Sequence, residues 1–124
     1  MFIKKRWGWR LMVSNITEAS LQKSAMQWLK LHGILAIRNN TGSMKTASGG
    51  YISFGLKGSS DILALHNSVA YAIEVKGYNK AGKLGRQSPE QKAFAQDWIK
   101  AGGVYILLTP NNFNDLDIIL EQKT

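Results

Sequence analysis

Glu74-Val75-Lys76 sets an acid and a base two residues apart. Successive side chains on a β-strand alternate between faces, so on a strand both would point to one side. Asp61 precedes Glu74 by thirteen residues. If the segment Asp61 to Leu65 pairs with Ala70 to Lys76, its carboxylate approaches the same face. Two carboxylates and an ammonium then remain once the apolar neighbours are packed. The set suits phosphodiester hydrolysis, in which extra negative charge builds on the phosphoryl oxygens and must be met by cations. Magnesium or manganese takes hard oxygen ligands, with water and substrate phosphate filling the shell, so Asp61 and Glu74 are candidate metal ligands. A metal there polarises phosphate and lowers the pKa of a bound water. Lys76 is placed to orient that water and to stabilise developing charge.

A Glu-x-Lys pair by itself is a common strand pattern, and the charge distribution is what sharpens it. Residues 1 to 89 carry thirteen Lys or Arg but only three carboxylates, Glu18, Asp61 and Glu74, within a net charge of +8. A chain so depleted in acid is expected to keep its carboxylates where they perform a task. The basic excess points to a polyanionic partner, nucleic acid first, although anionic membranes and acidic proteins are attracted by the same charge. There is no cysteine, which excludes disulfides, thiolate zinc sites and thiol chemistry. The longest apolar runs, such as Val104 to Leu108, fall far short of the roughly 20 residues that span a bilayer, and Met1 to Arg10 has no apolar stretch of signal-peptide length. The expectation is a protein of the cytoplasm with no membrane partner.

These residues need elements to position them. Leu21, Ala25, Trp28, Leu29 and His32 recur at helical spacing after Thr17, a plausible N-cap, with Ile16 and Leu21 as hydrophobic staple and Gly33 as stop. Glu18 falls on the inward stripe of that helix, where a carboxylate needs a partner, although compensation of the helix dipole is a sufficient role for it. Ile34 to Arg38 is predicted as a strand, Asn39 to Gly50 as a loop, and Tyr51 to Phe54 as a short strand. Asp61 to Leu65 and Ala70 to Lys76 form a hairpin about His66-Asn67-Ser68. Ser88-Pro89-Glu90-Gln91 announces a second helix, with Gln91 closing a capping box and Phe94, Ala95, Trp98 and Ile99 as its buried stripe. Gly102-Gly103 ends it, Val104 to Thr109 is a further strand, and Phe113 to Gln122 a closing helix. The order predicts an α/β domain with a mixed central sheet flanked by helices, spanning residues 17 to 124 behind a basic arm of residues 1 to 16. Within that arm, residues 1 to 11 fit an alternative start or non-native residues equally well, and Trp7 and Trp9 lie among basic residues that could stack on bases.

Between strand and helix, Gly77 to Gln87 holds Lys80, Lys83 and Arg86 with three glycines and no acid, a basic and mobile loop suited to a phosphate backbone. Arg38 and Lys57 are further candidates for DNA contact. His32 and His66 have no partners at metal-ligand spacing and read as structural or surface residues. Trp28, Phe94 and Trp98 sit at helical spacing and read as core.

Gly58-Ser59-Ser60-Asp61 followed by Glu74-Val75-Lys76 resembles the PD-(D/E)XK nuclease motif. The wider pattern is similar to the virus-type replication-repair (VRR-NUC) branch of that superfamily, with Glu18 in the first helix, Gln91 in the helix after the catalytic strand and a glycine pair before the last strand. The likeness covers roughly Thr17 to Leu108. Ser60 stands where the motif has its nominal proline, a loose position in the superfamily. The resemblance implies a restriction-endonuclease-like core and a Mg2+- or Mn2+-dependent endonuclease of bacterial or phage-infected cells, with no small-molecule cofactor. It also implies metal binding by Asp61 and Glu74, assistance to the nucleophile by Lys76, and support from Glu18, which could join the metal, and from Gln91. For Gln91 the cap and the site contact both remain open.

Two other functions fit the fold: a non-catalytic nucleic-acid-binding module, and a restriction-type endonuclease. Retention of Asp61, Glu74 and Lys76 together argues against the first, and 124 residues leave little room for the base-reading subdomain of the second. Stand-alone members of the family it resembles pair as homodimers and cut four-way (Holliday) junctions, so a two-fold dimer acting on branched DNA is the implied assembly. Tyr51, Ile52, Phe54 and Leu56 are apolar residues available for its interface, or for the core of an edge hairpin.

Overall fold

The computed structural model describes residues 15–40 and 42–121. Trp7, Trp9 and most of the basic arm lie outside them. Ile16, assigned to the arm, packs against the core, and its carbonyl accepts the Tyr78 N–H at 2.9 Å.

The first helix, α1 (Glu18–Leu31), starts where Thr17 caps it: the Thr17 hydroxyl accepts from the Ser20 N–H at 3.1 Å. Leu21, Ala25 and Leu29 are buried from it. Trp28 is half-buried and stacks on His32, whose ring meets the Trp28 carbonyl at the exposed end. The sheet follows, built from β1 (Leu35–Arg38), β4 (Ile62–His66), β5 (Val69–Val75) and β6 (Val104–Leu108) in the spatial order β1-β4-β5-β6. The first two pairings are antiparallel and β5 with β6 is parallel, so the sheet is mixed. The β4–β5 turn is Asn67-Ser68, both at positive φ, which matches the right-handed twist of a two-residue hairpin. Between β1 and β4 a separate two-stranded hairpin, β2 (Gly42–Lys45) with β3 (Tyr51–Phe54), stands apart from the main sheet.

Alternation along β5 divides its side chains. Tyr71, Ile73 and Val75 enter the core with Leu21, Ala25, Leu29, Ile62 and Leu108, each fully buried Leu or Ile contributing roughly 1.5–3 kcal/mol. Ala72 and Glu74 are buried on the other face, toward the second helix, α2 (Pro89–Lys100). Ser88 and Gln91 complete the expected capping box. Gly103 has no room for a Cβ because the Trp98 indole lies against it, its N–H donating to the Val104 carbonyl at 3.0 Å.

Three expectations are corrected. The stretch Asn39 to Gly50 contains a strand, β2, whose four residues are all exposed, so no burial pattern announced it. The stripe of α2 is half-buried at Phe94, Ala95 and Trp98, and Ile99 is exposed, because the helix packs along β6 and leaves the outer face of β1 and β4 uncovered at Leu35, Ile37 and Leu65. The closing helix is a 3-10 segment, Phe113–Asp117, followed by a short α3 (Ile118–Glu121). Asn112 draws the tighter turn, its side chain bonding the Leu107 carbonyl, the Thr109 N–H and Asp115. Among the described residues no helix is long and apolar enough to cross a membrane.

Candidate metal centre

Glu18, Asp61 and Glu74 converge at one end of the sheet, where each offers a carboxylate oxygen within 4.8 Å of the others. They are the only acids in residues 1 to 89, and they come from three separate segments: the start of α1, the residue before β4, and the end of β5. Glu74 enters from the end of β5, buried. Asp61 stands just before β4, where its Oδ2 accepts the Val75 N–H at 2.8 Å, so the hairpin itself orients the carboxylate. Glu18 reaches over the strand ends from the first turn of α1 and remains open to solvent.

Gly77 allows that approach. A Cβ at this position would fall 2.1 Å from the Glu18 nitrogen and 2.4 Å from the Thr17 carbonyl carbon. The backbone leaving the β5 strand end therefore lies directly against the start of α1, and any other residue would push Glu18 away.

Lys76 follows β5 directly, and its backbone N–H extends the pairing to the Leu108 carbonyl at 2.9 Å. Its nearly buried Nζ lies 3.6 Å from Glu74 Oε2, so the acid and the base share a face as their spacing predicts. Gln91 fills both of its candidate roles at once. Its Oε1 accepts the Ser88 N–H and its Nε2 donates to Glu74 Oε2, each at 2.8 Å. The cap holds one end of the amide and thereby aims the other at the carboxylate.

Electrostatics mark the cluster as unfinished. Burial, then the Asp61 charge, push the Glu74 carboxyl up to about 8; Lys76 pulls against this, while a proton shared with Asp61 and the charge of Glu18 add to it. Burial and Asp61 likewise raise Glu18, exposed though it is on its outer side. Glu74 Oε1 is buried with no hydrogen-bond donor. Three crowded carboxylates, one with an orphaned buried oxygen, lack the positive charge that would let them ionise together. Hard oxygen donors at this spacing fit a divalent cation such as Mg2+ or Mn2+.

Asn39 and Tyr105 also stand at the site, and neither carries a sequence signal for it. The Asn39 N–H donates to the Asp61 carbonyl at 2.7 Å, and its amide donates to Ser59 Oγ at 2.7 Å and the Ser60 carbonyl at 3.0 Å, holding the approach to Asp61. Asn39 opens a stretch read as loop, and no pattern marks its contacts. Tyr105 lies beside β5 on β6, where its hydroxyl accepts from Gln87 at 2.9 Å; burial raises its pKa, and this bond opposes the rise.

The basic candidates fall around the cluster unevenly. Lys80, Lys83 and Arg86 are exposed and take part in no ion pair among the described residues. Their loop carries hydrogen bonds of its own: Asn79 Oδ1 accepts the Ala81 and Lys83 N–H groups at 2.9 Å each, and Gly85 N–H reaches the Gly77 carbonyl at 3.1 Å. Arg38 is exposed at the end of β1, opposite Ile62. Lys57 is engaged by Glu90 at 3.4 Å. His66 stands at the hairpin turn, apart from the three acids. The chain matches no protein-family model, no curated protein and no solved structure.

Proposed function

We propose that the protein is a metal-dependent DNA endonuclease with a PD-(D/E)XK core of the VRR-NUC type, acting in the cytoplasm on branched DNA as a two-fold homodimer. The observation that carries the reading is the convergence of Glu18, Asp61 and Glu74, with Lys76 3.6 Å from Glu74. A chain that is basic almost throughout has brought its three acids in residues 1 to 89 to one point, against the repulsion between them. A surface that only held nucleic acid would gain nothing from three carboxylates facing its phosphates.

Asp61, Glu74 and Glu18 would hold the ion, which when bound supplies positive charge to the phosphoryl oxygens and acidifies water. The Lys76 ammonium stabilises charge on the phosphoryl group and orients the attacking water. Gln91 and the Val75 N–H hold Glu74 and Asp61 in place. Glu18 in the first turn of α1 and Gln91 in the first turn of α2 both reach the cluster, so both helix N-termini lie beside it, which favours an anionic substrate there. The uncovered apolar face of Leu35, Ile37 and Leu65 supports pairing of two copies, and a pair supplies the two cuts that a four-way junction needs.

The test is cleavage of labelled four-way junction, flap, single-stranded and linear duplex DNA with Mg2+ or Mn2+, alongside light scattering. Cleavage that vanishes with EDTA, fastest on the junction, and a mass near twice 13.8 kDa are expected. Full cleavage in excess chelator would defeat the metal reading, and equal rates on junction and linear duplex the branched-DNA reading.

Lys80, Lys83 and Arg86 are the expected phosphate contacts of this enzyme. Changing all three to Ala weakens binding to every DNA sequence alike and flattens the slope of log affinity against log salt by roughly 2 to 3, one counterion term for each lost contact. An unchanged slope in a fluorescence-anisotropy titration would show that the loop faces away from DNA.

A further inference from the structure

The β2–β3 hairpin is paired to no other strand, and its residues 42–45 and 51–53 are all exposed. Met44 and Ile52 stand directly opposite each other on one face, 61% and 56% exposed, and Lys45 and Tyr51 form the corresponding pair on the other. Its tip is set by hydrogen bonds: the Thr46 N–H to the Gly50 carbonyl at 2.8 Å, and the Gly50 N–H to the Thr46 hydroxyl at 3.1 Å. Its root is the Asn39 clamp on Ser59, Ser60 and Asp61, so the arms leave the domain beside a candidate metal ligand. With four residues per strand, each arm is about 13 Å long.

Two-stranded hairpins without a covering layer are marginal in water, and exposed apolar pairs on one are unfavourable unless something covers them. The charge around the hairpin selects the partner. Lys45 lies on the hairpin, Arg38 ends the strand before it, and Lys57, paired with Glu90 at 3.4 Å, follows it, while residues 39 to 60 contain no acid. Proteins that unstack DNA insert Met, Ile, Leu or Phe between base steps, held by cations on the neighbouring phosphates. The Met44–Ile52 pair matches that wedge, and Lys45 beside Tyr51 matches a phosphate contact next to a ring that can stack on a base.

We infer that the hairpin is a wedge that inserts Met44 and Ile52 into an already opened base step of the DNA, beside the phosphate held at the acidic cluster. The inference rests on the nuclease reading and deepens it, because it names what distinguishes the substrate. A branch point, flap or nick has a step that is partly unstacked at the outset, so insertion costs least there.

The experiment places 2-aminopurine at the branch point of a four-way junction and at the matching position of a linear duplex, and mixes each with the protein in metal-free buffer. Fluorescence is expected to rise on the junction and to change little on the duplex. The M44S/I52S variant loses the rise and binds the junction about tenfold more weakly, whereas M44L/I52L restores both. Circular dichroism of the two variants separates a lost wedge from a lost fold, since neither side chain enters the core. No rise with wild-type protein, or a rise that M44S/I52S retains, overturns the wedge. A serine variant that loses the rise only because a wild-type dimer has become a monomer overturns it too, and assigns the hairpin to a subunit contact. Metal-dependent cleavage is scored separately, so an inactive wild-type protein would sink the nuclease reading without being mistaken for failure of the wedge.

Discussion

Asp61→Asn is expected to lower the proposed metal-dependent cleavage by about a thousandfold, a loss of roughly 4 kcal/mol of charge stabilisation at the phosphoryl group. The substitution is nearly isosteric, and the remaining carbonyl oxygen can still accept the Val75 N–H that Asp61 Oδ2 accepts at 2.8 Å. The fold should therefore survive, and so should most of the proposed affinity for DNA, which is expected to come from the basic surface. Lys76→Ala leaves both carboxylates but removes the ammonium beside Glu74, and a loss of about a hundred- to a thousandfold is expected. Single-turnover cleavage and anisotropy on the same preparations check both points. Wild-type rates from either purified variant would remove that residue from the chemistry.

The second large effect is on stability, and its direction is unusual. In the metal-free protein Glu74 keeps its proton up to about pH 8, whereas in the unfolded chain it releases it near the ordinary 4.5. Between those values the folded state binds more protons, so stability must fall as pH rises. The contribution is complete below the unfolded value and gone above the folded one. A melting series across that range should show the decline, on the order of a few kcal/mol for Glu74. Glu74→Gln should flatten it, because an amide has no charge to desolvate and can still accept from Gln91. The same substitution removes a candidate metal ligand, so the variant is expected to be more stable at alkaline pH and to lack the proposed activity. Added Mg2+ should raise the melting temperature of the wild type most at high pH, where all three acids are free to ionise. A pH-independent melting temperature would show that Glu74 titrates alike in the folded and unfolded chain, and a Glu74→Gln variant less stable than wild type at alkaline pH would show that the buried acid is stabilising as it stands.

Much of this site is legible in the sequence because it depends on strand geometry. Glu74 and Lys76 share a face by the two-residue period, and the short Asn67-Ser68 turn fixes the pairing that places Asp61 beside them. The capping box is equally local, and Ser88 and Gln91 adopt it as read. What local pattern could not supply is the crossing of elements. Nothing around Thr17 states that α1 will begin against Gly77, and the second bond of Gln91 depends on where β5 lies. The β2 strand was hidden for a different reason. Gly42-Ser43-Met44-Lys45 has one apolar residue and buries none, so cross-strand pairing alone holds it and no alternation records it. Ile99 misled in the opposite sense, since its helical spacing is that of a core residue although no layer covers it.

The contact at Gly77 also bears on when the cluster can exist. Glu18 and Glu74 are 56 positions apart, and only the approach of Gly77 to the start of α1 brings the first near the second. A nascent chain that has left the ribosome only as far as the Asn67-Ser68 turn holds Glu18 and Asp61 without Glu74 or Lys76. A chain in which α1 has frayed from the sheet loses one of the three acids even while the β4–β5 hairpin persists. The acidic triad thus assembles only with the complete tertiary structure, and whatever the three carboxylates do together is withheld during synthesis and lost whenever the fold begins to come apart.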